Sequence, residues 1–316
     1  MANYKAIAQI RPEVREYIKA RKWVHRGETL SYGPNIDVGC LTTDGAGFRK
    51  SVFGGEKRAV AEIVQGGSYG IVTGPSNVYG FGLPSDADTI PSLLGAAFSM
   101  PFANISLPEG HSRNLFAICM NITATAKRPP SVIVHLSGGD FTGWAYTGVA
   151  DPVFGPPNLY QGKSALAERG GRRPPADQGF RAMAHASILW MRALLQLCRG
   201  NNIPLVLGND TTFFEKTEPS DYDRQCALGE GMGQAQSAQF AVQRSHGAQY
   251  YDRRAQFAAN AGVPLVGPGK SAEGANAIGF VDEFHYDADG SAALTRAFSP
   301  EVERALKGKS GSPRSA

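Results

Sequence analysis

Five short apolar runs punctuate the chain: "YGIVTG" (69–74), "FANISL" (102–107), "PSVIVHLSGG" (130–139), "IPLVLGND" (203–210) and "VPLVGPG" (263–269). They are apolar at consecutive positions rather than alternate ones. Such runs bury both faces of a strand, as the strands of a central parallel sheet do. The segments between them have helical spacing: "DTIPSLLGAAFS", "SRNLFAICMNITATA", "RAMAHASILWMRALLQLCRGNN", "QAQSAQFAVQRSHGAQYYDRRAQFAANAG" and, after the last run, "SAALTRAFSPEVERALK". An acidic cap at Asp88 is expected to open the first of these. Gly200 and Asn201 are expected to close the third, and Gly247 to break the fourth. This β-α-β-α order predicts an α/β fold, a mostly parallel sheet with helices on both faces. Right-handed crossovers then gather the loops that follow the strands on one sheet edge, where ligands of such folds bind.

The chain before the first strand reads differently. Residues 10–24 are predicted to form a surface helix with Ile10, Val14, Ile18 and Ala20 or Trp23 on one face. Residues 28–58 are rich in glycine and turn formers and suggest hairpins or a covering loop. "EKRAVAEIVQ" (56–65) reads as a helix stopped by Gly66 and Gly67. The expected organisation is an N-terminal extension over 1–66, an α/β domain over 67–307 and a disordered tail over 308–316. Within the domain, the Gly/Pro/aromatic-rich insertion 141–179 is long for a loop. Its Trp144, Tyr146, Phe154 and Tyr160 point to an ordered lid.

Charge and composition exclude several function classes. Lys and Arg number 32 against 28 Asp and Glu, a formal net charge of +4 with no dense basic stripe, so no nucleic-acid partner is expected. No run approaches the roughly 20 apolar residues of a membrane span. The N-terminal "MANYKAIAQIRPEVREYIKARKW" lacks an apolar signal core, so a cytoplasmic location is expected. Cys40, Cys119, Cys198 and Cys226 are widely spaced and read as small buried hydrophobes rather than a disulfide or zinc framework. His111, His135, His185 and His246 share no metal-ligand spacing, and "GNDTTFFEKTEPSDYD" lacks the period of a calcium loop. The Gly80–Gly82 pair is too short a signal for a nucleotide site. No metal or organic cofactor is expected.

The chemistry concentrates at two places. "GPSNVYGFG" puts Ser76 directly after the first apolar run, and "VDEFHYDADG" puts Asp282 and His285 three residues apart after the last. A serine after Gly-Pro is ordinarily a turn residue. A histidine that takes the hydroxyl proton, held by a carboxylate that fixes its tautomer, makes such a serine a nucleophile. In a turn, the Asp-x-x-His spacing presents both side chains on one side. Ser68 in "QGGSYG" is a rival nucleophile, and Glu283 a rival acid.

Together, "GPSNVYGFGLPSDADTIPSLL" and "VDEFHYDADGSAAL" resemble the SGNH/GDSL hydrolase superfamily of esterases, lipases, acyl-hydrolases and carbohydrate O-acyltransferases. The resemblance spans about 69–305. It implies a flavodoxin-like three-layer α/β/α sandwich, with Ser76 as nucleophile, His285 as base and Asp282 as the acid that orients it. Gly110 in "LPEGHSRNL" matches the second-block glycine, whose N–H holds the oxyanion together with that of Ser76. The third block falls on "HLSGGDF" (135–141), where Asp140 keeps the acidic position but Gly139 stands for the asparagine and Ser137 for the glycine. Pro75 stands where the family carries an aspartate. Loss of one oxyanion donor typically costs about 100- to 1000-fold in turnover. Gly139 is left as a backbone-only contributor, with Asn209 and Ser137 as alternative donors. "TTDGAGFRKS" (42–51) resembles a Gly-Phe-Arg stretch of larger, polysaccharide-linked members. The implied activity is serine-dependent hydrolysis of a small-molecule or glycan acyl ester. The alternatives are O-acyl transfer to a glycan or other polar acceptor, and a weakly active binding module. The acyl group, the alcohol and the oligomeric state are not set by the sequence.

Overall fold

The computed structural model describes residues 12–19, 23–26, 29–137, 139–147, 150, 176–213, 216–221, 234–267, 276–282 and 284–310. Its centre is a parallel sheet of five strands in the order β6-β5-β7-β8-β9. These are β5 (Gly70–Gly74), β6 (Phe102–Ser106), β7 (Val132–Ser137), β8 (Leu205–Asn209) and β9 (Leu265–Val266). Each lies within one of the five apolar runs. Alternate residues of the strands feed two cores. Ile71, Ile105, Ile133 and Leu207 pack with α2 (Val60–Gln65), α5 (Ser112–Thr125), α7 (Ala176–Gly200) and α8 (Gln234–Ala261). Val72, Val134, Leu136 and Val206 pack on the other face with α3 (Ser76–Tyr79), α4 (Ile90–Phe98) and α9 (Ala288–Ser310). The result is the expected three-layer α/β/α arrangement. Because β6 and β7 flank β5 on opposite sides, the chain order reverses between β5 and β7. Ligands of open α/β sheets bind in the crevice at such a reversal. Ser76 leaves β5 there, and Gly139 follows β7 into α6 (Gly139–Thr147).

Several local expectations are corrected. Helix α1 is described over Pro12–Lys19 and buries Val14 and Tyr17; Ile10, Ala20 and the Ile18 side chain lie outside the described residues. Trp23 is not on its face but opens β1 (Trp23–Arg26), paired antiparallel with β2 (Thr29–Tyr32). The stretch "EKR" is strand β4 (Glu56–Arg58), not helix. It pairs with β3 (Ser51–Phe53) through Gly54 and Gly55, whose φ of +62° and +81° make the hairpin turn. Helix α4 starts after Thr89, because Asp86–Asp88 closes a separate 3-10 turn capped by the Ser85 hydroxyl. Gly247 does not break α8; it sits buried beneath the Phe141 and Tyr251 rings. Helix α9 continues through Pro300 to Ser310, so the expected tail begins too early; 311–316 lie outside the described residues.

Trp144, expected in a lid, belongs to the core. It is 1% exposed and packs between Phe141, Phe180 of α7 and His246 of α8. Phe154 and Tyr160 lie outside the described residues, as does the Tyr146 side chain. The extension is built into the rest of the molecule. Tyr17, Tyr32 and Leu41 share a cluster with Tyr79 and Phe81, which directly follow the Ser76 segment. Cys40, Cys119 and Cys198 are buried, and Cys226 is outside the described residues. Among the described residues, no helix is long and apolar enough to cross a membrane.

Candidate active site

Backbone crowding dictates how β5 hands over to Ser76. A Cβ at Gly74 would lie 2.4 Å from Val78 Cγ2 and 3.0 Å from the Leu136 carbonyl, so glycine alone lets the chain turn here. Pro75 follows as the N-cap of α3 with φ −76°, close to the angle its ring imposes. Proline at this position therefore costs nothing in conformation, although the resembling family has an acid there. Ser76 is the first residue of α3, and its N–H has no acceptor within the helix. Gly80 closes α3 in the left-handed region at φ +86°. The serine hydroxyl is thus held at the carboxyl edge of the sheet on one tight turn.

The loop before α9 meets it from a distant part of the chain. His285 Nε2 lies 2.7 Å from Ser76 Oγ, and His285 Nδ1 lies 2.6 Å from Asp282 Oδ2. The other Asp282 oxygen, Oδ1, accepts the backbone N–H groups of Phe284 and His285, each at 2.8 Å. The Asp-x-x-His segment is therefore a compact turn organised by its own aspartate. Asp282 is 1% exposed. Burial works against its charge, but the His285 charge and the hydrogen bonds from His285 and Phe284 outweigh it and hold the carboxyl below its ordinary value. The Phe81 ring covers the imidazole at a centroid distance of 4.4 Å. Of the rivals, Ser68 is exposed at the opposite, amino end of β5, a strand length of roughly 17 Å away. Glu283 lies outside the described residues.

The groups expected to receive an oxyanion are redistributed. The Gly110 N–H donates to the Leu107 carbonyl at 3.0 Å. It closes a turn with Pro108 in the second position and glycine in the fourth, the composition such turns favour. That N–H is engaged, which corrects the expectation that Gly110 supplies a free donor. Gly110 contributes close packing instead. A Cβ at Gly139 would lie 2.1 Å from the Gly110 carbonyl oxygen and 3.1 Å from Pro75 Cβ. An asparagine at 139 has no room, which accounts for the departure from the resembling family. Gly139 opens α6, so its N–H, like that of Ser76, has no acceptor within its helix. Asp140 ties this start to that of α5, accepting the Ser112 N–H at 3.1 Å and the Ser112 hydroxyl.

Asn209 and Ser137 face each other at the ends of β8 and β7. Asn209 lies two strand spacings, roughly 10 Å, from β5. The Ser137 side chain is outside the described part. Gly139→Ala is expected to abolish most activity and to cost about 1–3 kcal/mol through overpacking. Thermal melts and turnover measured on the same preparation check this.

Among the described residues, no group of His, Cys, Asp and Glu could hold a metal ion. His135 is buried inside β7, and burial, with the Arg254 charge, pulls its pKa down to about 3. His111 is a buried N-cap of α5, 3.8 Å from Asp140. His246 contacts Asp177 at 3.1 Å. Two residues with no catalytic signature in the sequence also prove central to the site's support. Arg49 and Asp86 form a fully buried pair at 2.7 Å, and Arg49 also donates to the carbonyl of Gly80, which ends the serine helix.

No protein-family model matches the sequence, and no curated protein matches it. Solved structures do. An extracellular lipase from Streptomyces rimosus is 14% identical, with a TM-score of 0.48 over 76% of this chain and 100% of that one. A GDSL-like lipase from Bacteroides thetaiotaomicron is 12% identical, with a TM-score of 0.42 over 78% and 94% of the two chains. A catalytic mutant of an acetylxylan esterase from Geobacillus stearothermophilus is 13% identical, with a TM-score of 0.43 over 75% and 96%. All three TM-scores lie below 0.5. The chain's chemistry is read from its own residues.

Proposed function

We propose that the protein is a serine-dependent acyl-ester hydrolase that works through an acyl-enzyme on Ser76. One observation carries this reading: an unbroken hydrogen-bonded chain from Ser76 Oγ through both nitrogens of His285 to the buried Asp282 carboxylate, at 2.7 and 2.6 Å. Ser76 Oγ attacks the ester carbonyl as its proton passes to His285 Nε2. The carbonyl oxygen becomes an oxyanion received by the N–H groups of Ser76 and Gly139. His285 then gives its proton to the departing alkoxide, and the alcohol leaves. Water attacks the acyl-enzyme, losing a proton to His285, and the acid departs as Ser76 regains its hydrogen. Asp282 keeps the imidazole in the tautomer that accepts at Nε2 and stabilises its charged form. The substrate class is a small-molecule or glycan acyl ester.

Product partitioning tests the acyl-enzyme. Phenyl acetate and nitrophenyl acetate, hydrolysed with methanol present, are expected to give the same ratio of methyl acetate to acetate. Both pass through one intermediate, so the leaving group no longer matters when the acceptor is chosen. A ratio that follows the leaving group, or no turnover on short-chain aryl esters, contradicts the reading.

A further inference from the structure

We infer that Asp210 is a positioning residue that holds the Ser76 and His285 segments in register through one carboxylate oxygen. The inference rests on the serine-hydrolase reading above. Asp210 directly follows β8 and is 5% exposed. Its Oδ1 accepts two side-chain hydrogen bonds, one from Asn77 Nδ2 and one from the Tyr286 hydroxyl. Asn77 is the residue after Ser76, and Tyr286 is the residue after His285. The two halves of the proposed proton-transfer pair are thus pinned to one atom. The anchor is itself fixed. The Tyr286 hydroxyl also accepts the Thr211 N–H at 3.1 Å, and the Tyr251 hydroxyl of α8 donates to the Asp210 carbonyl at 2.8 Å.

The chemistry of the reaction gives this link its purpose. The only direct bond between Ser76 and His285 is Oγ to Nε2, and acylation of Oγ removes it. His285 must nevertheless stay in place to activate water. The Asn77–Asp210–Tyr286 bridge takes no part in bond making, so it persists through both half-reactions. It is also a costly group to bury. Burial pushes the Asp210 carboxyl up to about 6, against the Tyr286 bond, the Arg254 charge, the Asn77 bond and the His285 charge. Apolar side chains of similar volume often serve stability as well as buried polar clusters do.

The test compares variants by kcat on nitrophenyl acetate per active site, with sites counted by fluorophosphonate labelling, alongside KM and thermal midpoint. Asp210→Ala is expected to lower kcat by about 10- to 100-fold, since small displacements of reacting groups cost about that much. KM should stay within twofold of wild type, because Asp210 bonds Asn77 and Tyr286 rather than the reacting atoms. Asp210→Asn keeps an oxygen acceptor and should recover most of the loss, which a purely structural role does not predict. If Asp210→Ala does not fold, Tyr286→Phe deletes a single hydroxyl and should still lower kcat several-fold. Wild-type kcat per labelled site in Asp210→Ala, or in Tyr286→Phe where it is the stand-in, overturns the inference. Wild-type protein that takes no label overturns the serine reading beneath it.

Discussion

Ser76→Ala is expected to lower ester turnover by about 10⁶-fold, the scale on which a triad nucleophile acts. The fold should survive the change. The hydroxyl's bond is to His285 Nε2, and one hydrogen bond is worth about 1 kcal/mol net. Ser76 occupies the first position of α3 rather than its cap, so alanine takes its place without opening the helix start. Groups that act as a unit are not additive. Adding His285→Ala to Ser76→Ala should therefore cost almost nothing further, although His285→Ala alone should be nearly as damaging as Ser76→Ala. Steady-state kinetics on the two single variants and the double variant check this. A double variant slowed by the product of the single effects contradicts a shared proton-transfer unit.

Arg49→Ala is expected to cost about 3–5 kcal/mol of stability, the usual consequence of breaking a buried ion pair, although Lys57 Nζ stays 3.1 Å from Asp86 Oδ2. Arg49 and Asp86 are both fully buried, with Nε to Oδ1 at 2.7 Å. The guanidinium also donates to the Cys40 carbonyl at 2.5 Å, to the Gly80 carbonyl and to the Tyr17 hydroxyl. One side chain therefore ties α1, the loop at Cys40 and the end of the serine helix together. Its loss leaves the Asp86 carboxylate without its main partner and frees Gly80, which closes α3. Denaturant melts should show a midpoint shift large enough to read directly. Replacing both partners, as Arg49→Met with Asp86→Leu, should recover much of the loss, because no buried charge remains. A single variant as stable as wild type contradicts this account of the extension.

The sheet was readable because its strands are buried on both faces and so appear as continuous apolar runs. The pairing of Asp282 with His285 was readable because a three-residue spacing is local. The oxyanion groups were harder to read. Whether Gly110 has a free N–H depends on whether its turn closes, and Pro108 was the available signal. Whether 139 accepts a side chain depends on how closely three distant loops approach one another. Nothing local in "HLSGGDF" records that the Gly110 carbonyl abuts Gly139. Asp210 lies in "GNDTTFFEKTEPSDYD", a stretch that carries no motif of its own. Its partners are 133 and 76 residues away, and only the fold brings them together. The N-terminal corrections share a cause. "REYIKARKW" carries helical spacing past Lys19, but cross-strand pairing of Trp23 with Tyr32 overrides it.

The most direct test of the central claim is the mass of the protein after exposure to a fluorophosphonate, followed by peptide mapping. The account predicts a single adduct on the peptide carrying Ser76, its formation slowed severely by His285→Ala. An unmodified protein, or an adduct on Ser68, would contradict it.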